Sequence, residues 1–395
     1  MPSGSIYCEG YECPELSAND FGATLGGIWE AVVGSGNMSF VDGRLGGKAI
    51  RFASAAAETT LQHRLPSGNH YIVSGWFRMS ASPAAGDHII TDLGQASTGI
   101  SFRIDSTGTI FCRQGPAPPT GVEVTGPSGM ADNNWHRLTY YLNTSANPWV
   151  VKWAVDGNVQ TDNSRAVAAG SGEAQYRIGH YVAVSGVTFD WDDKIISTTP
   201  ADYDDFLATP HRVLPLHVNG DGSHNFTPAG DFLRTATSMN PTDTNGWLEI
   251  DDWITGLAET SSYIADALGD SSEYTEFVFE DAAFDTIWFA QAQAAIFSAD
   301  ALANNAIARV VDSVGTTIAD IYSGDMSEVT LHFRMAALAN NPSRATLDGY
   351  KLRFGLATDV DPDPRLSAAM LQYAVPEIAL PLPKIIRHGV GRRAG

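Results

Sequence analysis

The segment from Asn134 to Val159, NWHRLTYYLNTSANPWVVKWAVDGNV, decides the fold class. Its first half alternates, with Trp135, Arg137, Thr139 and Tyr141 on one side and His136, Leu138, Tyr140 and Leu142 on the other. A period of two is that of a pleated strand with one half buried. The second half repeats the pattern, setting Trp149, Val151, Trp153 and Val155 against Val150, Lys152 and Ala154. Asp156-Gly157 then closes it, a dipeptide that accepts the positive φ of a tight hairpin turn. The expectation is an all-β chain. Outward from the hairpin, further strands are expected at His70 to Met79, His88 to Asp92, Gly99 to Asp105 and Thr109 to Arg113, separated by Ser, Ala, Pro and Gly.

These residues carry a resemblance. A strand opening Trp-His, a second strand shortly after it and a Val-Asp-Gly turn resemble the laminin-G-like, concanavalin-type lectin and glucanase sandwich. Ala49-Ile50-Arg51-Phe52 and Tyr71 to Phe77 resemble its early strands, and Tyr176 to Gly179 with Phe189 to Ser197 its closing part. The match covers the first half of the chain and implies a fold, since function lives in sites grafted onto it. Gly43-Arg44-Leu45-Gly46-Gly47-Lys48 resembles the family's turn before its second strand. It lacks the Gly-Lys-Ser/Thr ending and the following helix of a phosphate-binding loop.

Composition narrows the class of partner. The chain has 395 residues, room for two or three domains, and 45 acidic against 24 basic residues give a formal charge of -21. Such a surface disfavours capture of nucleic acid or of an anionic membrane. Charged residues are only 17% of the chain, so solubility rests on Ser, Thr, Asn and Gly, as in many β-sandwich proteins. Cys8, Cys13 and Cys112 are too few for a disulfide framework, and Cys8 with Cys13 can close a small loop only in an oxidising medium. Met1 to Cys8 lacks the pattern of a signal peptide, and no run approaches the ~18 apolar residues of a membrane span. Synthesis in a cytoplasm, joined to a lectin-like fold, fits a phage protein that leaves its host by lysis inside a virion.

Beyond Tyr203 the pattern changes. His211 to Val218, then Asn219-Gly220-Asp221-Gly222, resembles the head of a module of phage virion proteins, and Tyr350 to Gly355 with Met370 to Ala374 resembles its closing strands. Strands are also expected at Trp247 to Trp253, Tyr274 to Phe279 and Val329 to Met335. Ile287 to Phe297 reads as strand despite its Ala and Gln, whereas Leu257, Ile264 and Leu268 suit a short helical face. The domains are therefore 1–205, laminin-G-like; 206–376, a second sandwich for virion assembly; and 377–395, a tail. That makes two β-sandwich, jelly-roll-like domains. From Lys384 to Arg393 the tail holds Lys384, Arg387, Arg392 and Arg393 with no acid, an outlier suited to docking on an acidic neighbour.

Three chemistries suggest themselves. Glu249, Asp251 and Trp253 share a strand face, as on a glucanase's catalytic strand, but the third carboxylate is missing; a hydrolase needs two carboxylates flanking one bond. No nucleophile elbow or His-Glu-x-x-His spacing is present, so the expectation is not an enzyme. Asp190, Asp192 and Asp193 are the candidate calcium ligands, set against a strand whose acids merely face water. Trp149, Trp153 and Trp191 are the candidate glycan-stacking residues, set against ordinary core packing. The resemblance implies a minor tail protein at the tail tip or fibre base. Its partners would be other virion proteins and host-surface polysaccharide, and it would assemble as a homo-oligomer, a trimer by analogy. A capsid decoration protein and a glycan-degrading hydrolase are the alternatives.

Overall fold

A computed structural model of the protein describes residues 1–10, 31–53, 58–65, 68–84, 88–93, 100–114, 122–145, 149–165, 175–180, 186–226, 232–234, 237–238, 248, 263–266, 273–298, 304–326, 332–356 and 364–377. Strands dominate them, with two short α-helices, Asp202–Ala208 and Arg344–Asp348. No helix among the described residues is long and apolar enough to cross a membrane.

The opening hairpin forms as its sequence requires. Trp135–Asn143 and Trp149–Val155 pair antiparallel, and Asp156 and Gly157 carry φ of 52° and 79° between the paired Val155 and Asn158. Positive φ at both turn residues gives the loop the hand of the strand twist. Two carboxylates staple this end. His136 Nδ1 lies 2.8 Å from Asp156 and Nε2 lies 3.0 Å from Asp132, so both ring nitrogens donate and the imidazolium is the bound form. The hydrogen bond to Asp156 raises the His136 pKa above 6.5 despite burial, with Asp132 adding to it. Burial pulls the Asp132 carboxyl upward, but hydrogen bonds from Asn134 and His136 bring it down to about 2.

A pH dependence follows. The raised His136 contributes stability below its unfolded value of 6.5 that is lost as pH rises through the folded value. The lowered Asp132 contributes above 3.8, and its share is lost as pH falls through about 2. With both carboxylates partly exposed, the histidine's share is ~0.5–1 kcal/mol. Thermal melts from mildly acidic to mildly alkaline pH should show this decline, and His136→Asn should flatten it.

The hairpin joins a nine-stranded sheet that runs Asn158–Val159, Trp149–Val155, Trp135–Asn143, His70–Met79, Phe189–Ser197, Lys48–Phe52, Met38–Asp42, with Ser5–Glu9 beside Phe189–Ser197 and Asn163–Arg165 beside Trp149–Val155. A seven-stranded sheet faces it, in the order Val122–Thr125, Ile110–Gln114, Ile100–Ile104, His88–Leu93, Gln175–His180, Thr59–Arg64, Ala31–Val33. Phe77, Leu138, Trp153 and Trp191 from the first interdigitate with Phe102, Cys112, Tyr176 and Ile178 from the second. Burying such side chains stabilises by about 1.5–3 kcal/mol each.

The second unit grows from His211–Asp221, a strand that serves two sheets. Residues 211–217 pair with Pro364–Pro376, and 218–221 pair with Tyr274–Phe279 with a register shift between Val218 and Gly220. Phe289–Ser298 and His332–Asn340 extend the first sheet; Lys351–Leu356, Asn304–Val311 and Thr317–Met326 extend the second. The Ala- and Gln-rich segment is thus strand, with all ten residues buried. The helical turn expected across Gly256 to Leu268 is corrected where it is described: Ile264–Asp266 is a strand paired with Phe232–Arg234 and Pro364–Pro376. Of the three residues at seven-and-four spacing, Ile264 lies in this strand, and Leu257 and Leu268 lie outside the described residues. The strand expected at Val329 to Met335 runs His332–Asn340, and that at Trp247 to Trp253 lies outside the described residues apart from Leu248. Sheet membership changes between Ser197 and His211, and the expected 205/206 boundary falls inside helix Asp202–Ala208.

The two sandwiches meet without a free linker. The outer face of the nine-stranded sheet is covered along its middle: Ile72, Tyr141 and Ile195 pack with Tyr203 and Phe206 of the helix and with Val213, Trp288, Phe289 and Ala374 of the second unit. Strand Ser5–Glu9 lies in this seam, and side-chain amides take the place of a neighbouring strand along it. Gln291 accepts from Cys8 N at 3.0 Å and donates to Cys8 O at 2.5 Å, while Asn340 accepts from Ser5 N at 3.0 Å and donates to Ser5 O at 3.2 Å. Asp202, in the first turn of the helix, accepts from Ser3 N and Gly4 N, both at 2.9 Å. Cys8 and Cys112 are buried free thiols, and burial pushes Cys112 up to about 12, where the reactive thiolate is suppressed. Cys13 lies outside the described residues.

Candidate functional site: a cleft between the sandwiches

The glycine-rich turn 43–47 joins Met38–Asp42 to Lys48–Phe52 and closes on itself through Gly43 N to Gly47 O at 2.7 Å. A side chain at Gly43 would meet Asp192 at 2.7 Å, so only glycine lets the turn lie against that carboxylate. Arg44 projects from it as the hub of the junction. Its guanidinium lies 3.9 Å from the centre of the Trp76 ring and binds Asp193 at 3.0 Å, Glu377 at 2.8 Å and the His211 carbonyl at 3.2 Å. Asp193, at φ 48° on a bulge, also accepts from Val213 N at 2.7 Å. Desolvation raises its pKa, against the opposing pull of Arg44. His211 donates through Nε2 to the Asp193 carbonyl at 2.8 Å, and burial, with the nearby Arg137 charge, drives its pKa down to about 3. It is neutral at ordinary pH, packed between Phe206 and Trp288.

Beside this hub is a cleft of about 310 Å³. One wall is the turn at Leu45, Gly46 and Gly47 with Asp192 and Asp193; the other is residues 212–216, Glu280, Asp281, Ala283, Phe284 and Tyr373. Its volume is at the small end of the ~300–1,000 Å³ usual for ligand sites, which favour boundaries between domains. Arg212 lies over the Phe284 ring, 4.6 Å from its centre, and the Tyr373 hydroxyl accepts from Ala283 N at 3.2 Å. Apolar walls with a few convergent polar groups make a recognition surface. Because the hub is locked by ion pairs and main-chain bonds, the walls are set before a ligand arrives, which lowers the ordering cost of binding.

The structure redistributes the residues singled out from sequence. Trp153 and Trp191 are 0% exposed and Trp149 is 7% exposed, so none offers a ring face to a sugar; these three are corrected to core. Trp153 donates to the Thr161 carbonyl at 2.9 Å and packs on Phe102, while Trp191 stacks on Phe77. Among the described residues the tryptophans that reach the surface in part are Trp76 and Trp135, roofed by Arg44 and Arg78.

Asp190, Asp192 and Asp193 do not make a calcium cage. Asp190 is gripped by Arg51 at 2.7 Å and Arg78 at 2.5 Å, Asp192 accepts from Arg44 N and Asp193 N, both at 2.7 Å, and Asp193 holds the Arg44 guanidinium. Among the described residues no three carboxylate, imidazole or thiol groups are gathered as a metal requires. Nor do these acids face water, since all nine residues of Phe189–Ser197 are buried. Removing one partner of such a buried pair costs ~3–5 kcal/mol. Asp190→Ala should therefore lower the unfolding free energy read from a denaturant titration by that amount, whereas a chelator should leave it unchanged.

Glu249, Asp251, Lys384, Arg387, Arg392 and Arg393 lie outside the described residues. Sequence reading missed Arg44, Arg212, Asp281 and Phe284. They come from three separated segments, and no spacing links them.

No family model matches the chain, and no curated protein does. Among solved structures it is similar to an alginate lyase Aly36B mutant in complex with alginate trisaccharide (TM-score 0.35, 10% identity, covering 50% of this chain and 100% of that one). It is also similar to domain 4 of AbnA, an extracellular arabinanase from Geobacillus stearothermophilus, in complex with arabinotriose (TM-score 0.34, 18% identity, 52% and 100%). A third is the botulinum neurotoxin type G receptor-binding domain (TM-score 0.36, 8% identity, 73% and 75%). At this level of superposition the likenesses carry no inference about ligand or activity.

Proposed function

We propose that the protein is a non-catalytic attachment protein of a phage particle, of the minor tail protein type, which holds a host-surface glycan in the cleft between its two sandwiches. The observation that carries this reading is the cleft itself: a preformed recess with Phe284, Arg212 and Asp281 on one wall and a glycine turn on the other. Sugars are bound by an apolar face plus a few oriented polar groups, and that is its composition. The virion setting is supported by the resemblance of His211 to Gly222 and Tyr350 to Ala374 to phage modules. A rigid two-sandwich body suits a part that must bear attachment.

The test is titration of the full chain against a panel of neutral, amine-bearing and acidic oligosaccharides. Phe284→Ala should weaken binding by about tenfold, equivalent to ~1.4 kcal/mol. No reducing ends should be released during incubation. Binding indifferent to Phe284, or turnover of the bound saccharide, would sink the reading. Immunogold labelling of particles should mark tail tips; label on the head would favour capsid decoration.

A further inference from the structure

The charged groups of the cleft divide into the committed and the free. Asp193 holds Arg44, Asp192 accepts two main-chain N–H groups, and Glu280 accepts from His217 N at 3.3 Å. The side chains of Arg212 and Asp281 have no hydrogen bond or ion pair among the described residues; Arg212 lies over the Phe284 ring and acts electrostatically on Tyr373. These two are of opposite sign. A carboxylate only accepts and a guanidinium only donates, whereas each sugar hydroxyl does both. A pair of neighbouring hydroxyls therefore satisfies both residues without bringing a charge of its own.

An anionic ligand fares differently. It can reach Arg212, but Asp192, Glu280 and Asp281 line the same recess beside Asp193, whose charge Arg44 offsets, and the chain as a whole carries -21. Walls of low dielectric concentrate that field in the cleft, inside the ~8–10 Å over which physiological salt leaves charges unscreened. Resting on the glycan reading above, we infer that the ligand is a glycan without carboxylate, phosphate or sulfate groups, held through vicinal hydroxyls between Asp281 and Arg212.

The experiment is calorimetric titration of the full chain with three sets of oligosaccharides of matched length: neutral hexose oligomers of several configurations, partly de-N-acetylated hexosamine oligomers, and oligouronates. Each is run at about 50 mM and about 500 mM salt, which brackets strong and weak screening. Neutral oligomers should bind with less than about a twofold change between the two, and oligouronates at least about tenfold more weakly at low salt. Amine-bearing oligomers should bind at least as well as neutral ones at low salt and lose that margin at high salt. Asp281→Asn, an exposed change that keeps an acceptor, should narrow the gap between neutral and uronate ligands. Tighter binding of oligouronates, or no gap at all, overturns the inference while leaving glycan attachment standing. Failure of all three sets to bind overturns both.

Discussion

Gln291→Leu is expected to destabilise the protein by ~2–5 kcal/mol, because one fully buried side chain satisfies both main-chain groups of Cys8 across the seam. Leucine has similar bulk and no polar atom. The substitution withdraws a donor and an acceptor from a strand that has second-unit side chains, rather than another strand, along that edge. It also removes one of two amides bonded to Gln372 Oε1, the other being Gln293 at 3.1 Å. Each buried main-chain group left short costs ~1–3 kcal/mol. Since Ser5–Glu9 is bonded to both units, scanning calorimetry should show one transition for the parent and two for the variant. Asn340→Ala, at the less buried end of the strand, should have a smaller effect in the same direction. An undivided transition at the parent's melting temperature in Gln291→Leu would remove the seam strand from its role as coupler.

Trp191→Ala should cost ~3–5 kcal/mol, the penalty for excavating a large aromatic side chain from a packed interior. The indole lies over Gly75, where an added methyl group would approach it to 2.9 Å, and packs against Phe77 and Phe189. Urea titration is the measurement: the midpoint falls while the slope holds. The folded fraction should keep the parent's oligosaccharide affinity. Lost affinity at unchanged stability would return Trp191 to the ligand site. Gly75→Ala should cost less, ~1–3 kcal/mol, as overpacking of the same contact.

The contrast between Trp191 and Arg212 shows what was legible. Alternation located the strands and assigned their inner faces, because Val151, Trp153 and Leu138 need only local pleating to point inward. Asp156-Gly157 fixed its turn for an equally local reason. Period-two patterning is blind to what covers the other face, so Asp190 and Asp192 read as solvent-facing acids. Their partners are remote: Arg51 is 139 residues from Asp190, Arg78 is 112 away, and Arg44 is 149 from Asp193. The cleft was illegible for the same reason, as it exists only once two sandwiches are apposed. The tryptophans drew attention by their chemistry, yet a large indole in a strand is what a sandwich interior needs.

The strand His211–Asp221 changes sheets partway along its length while its first residues lie against Asp193 of the neighbouring sandwich. A pull on one half of the molecule therefore reaches the other through many bonds loaded together in shear, as in a bolted flange.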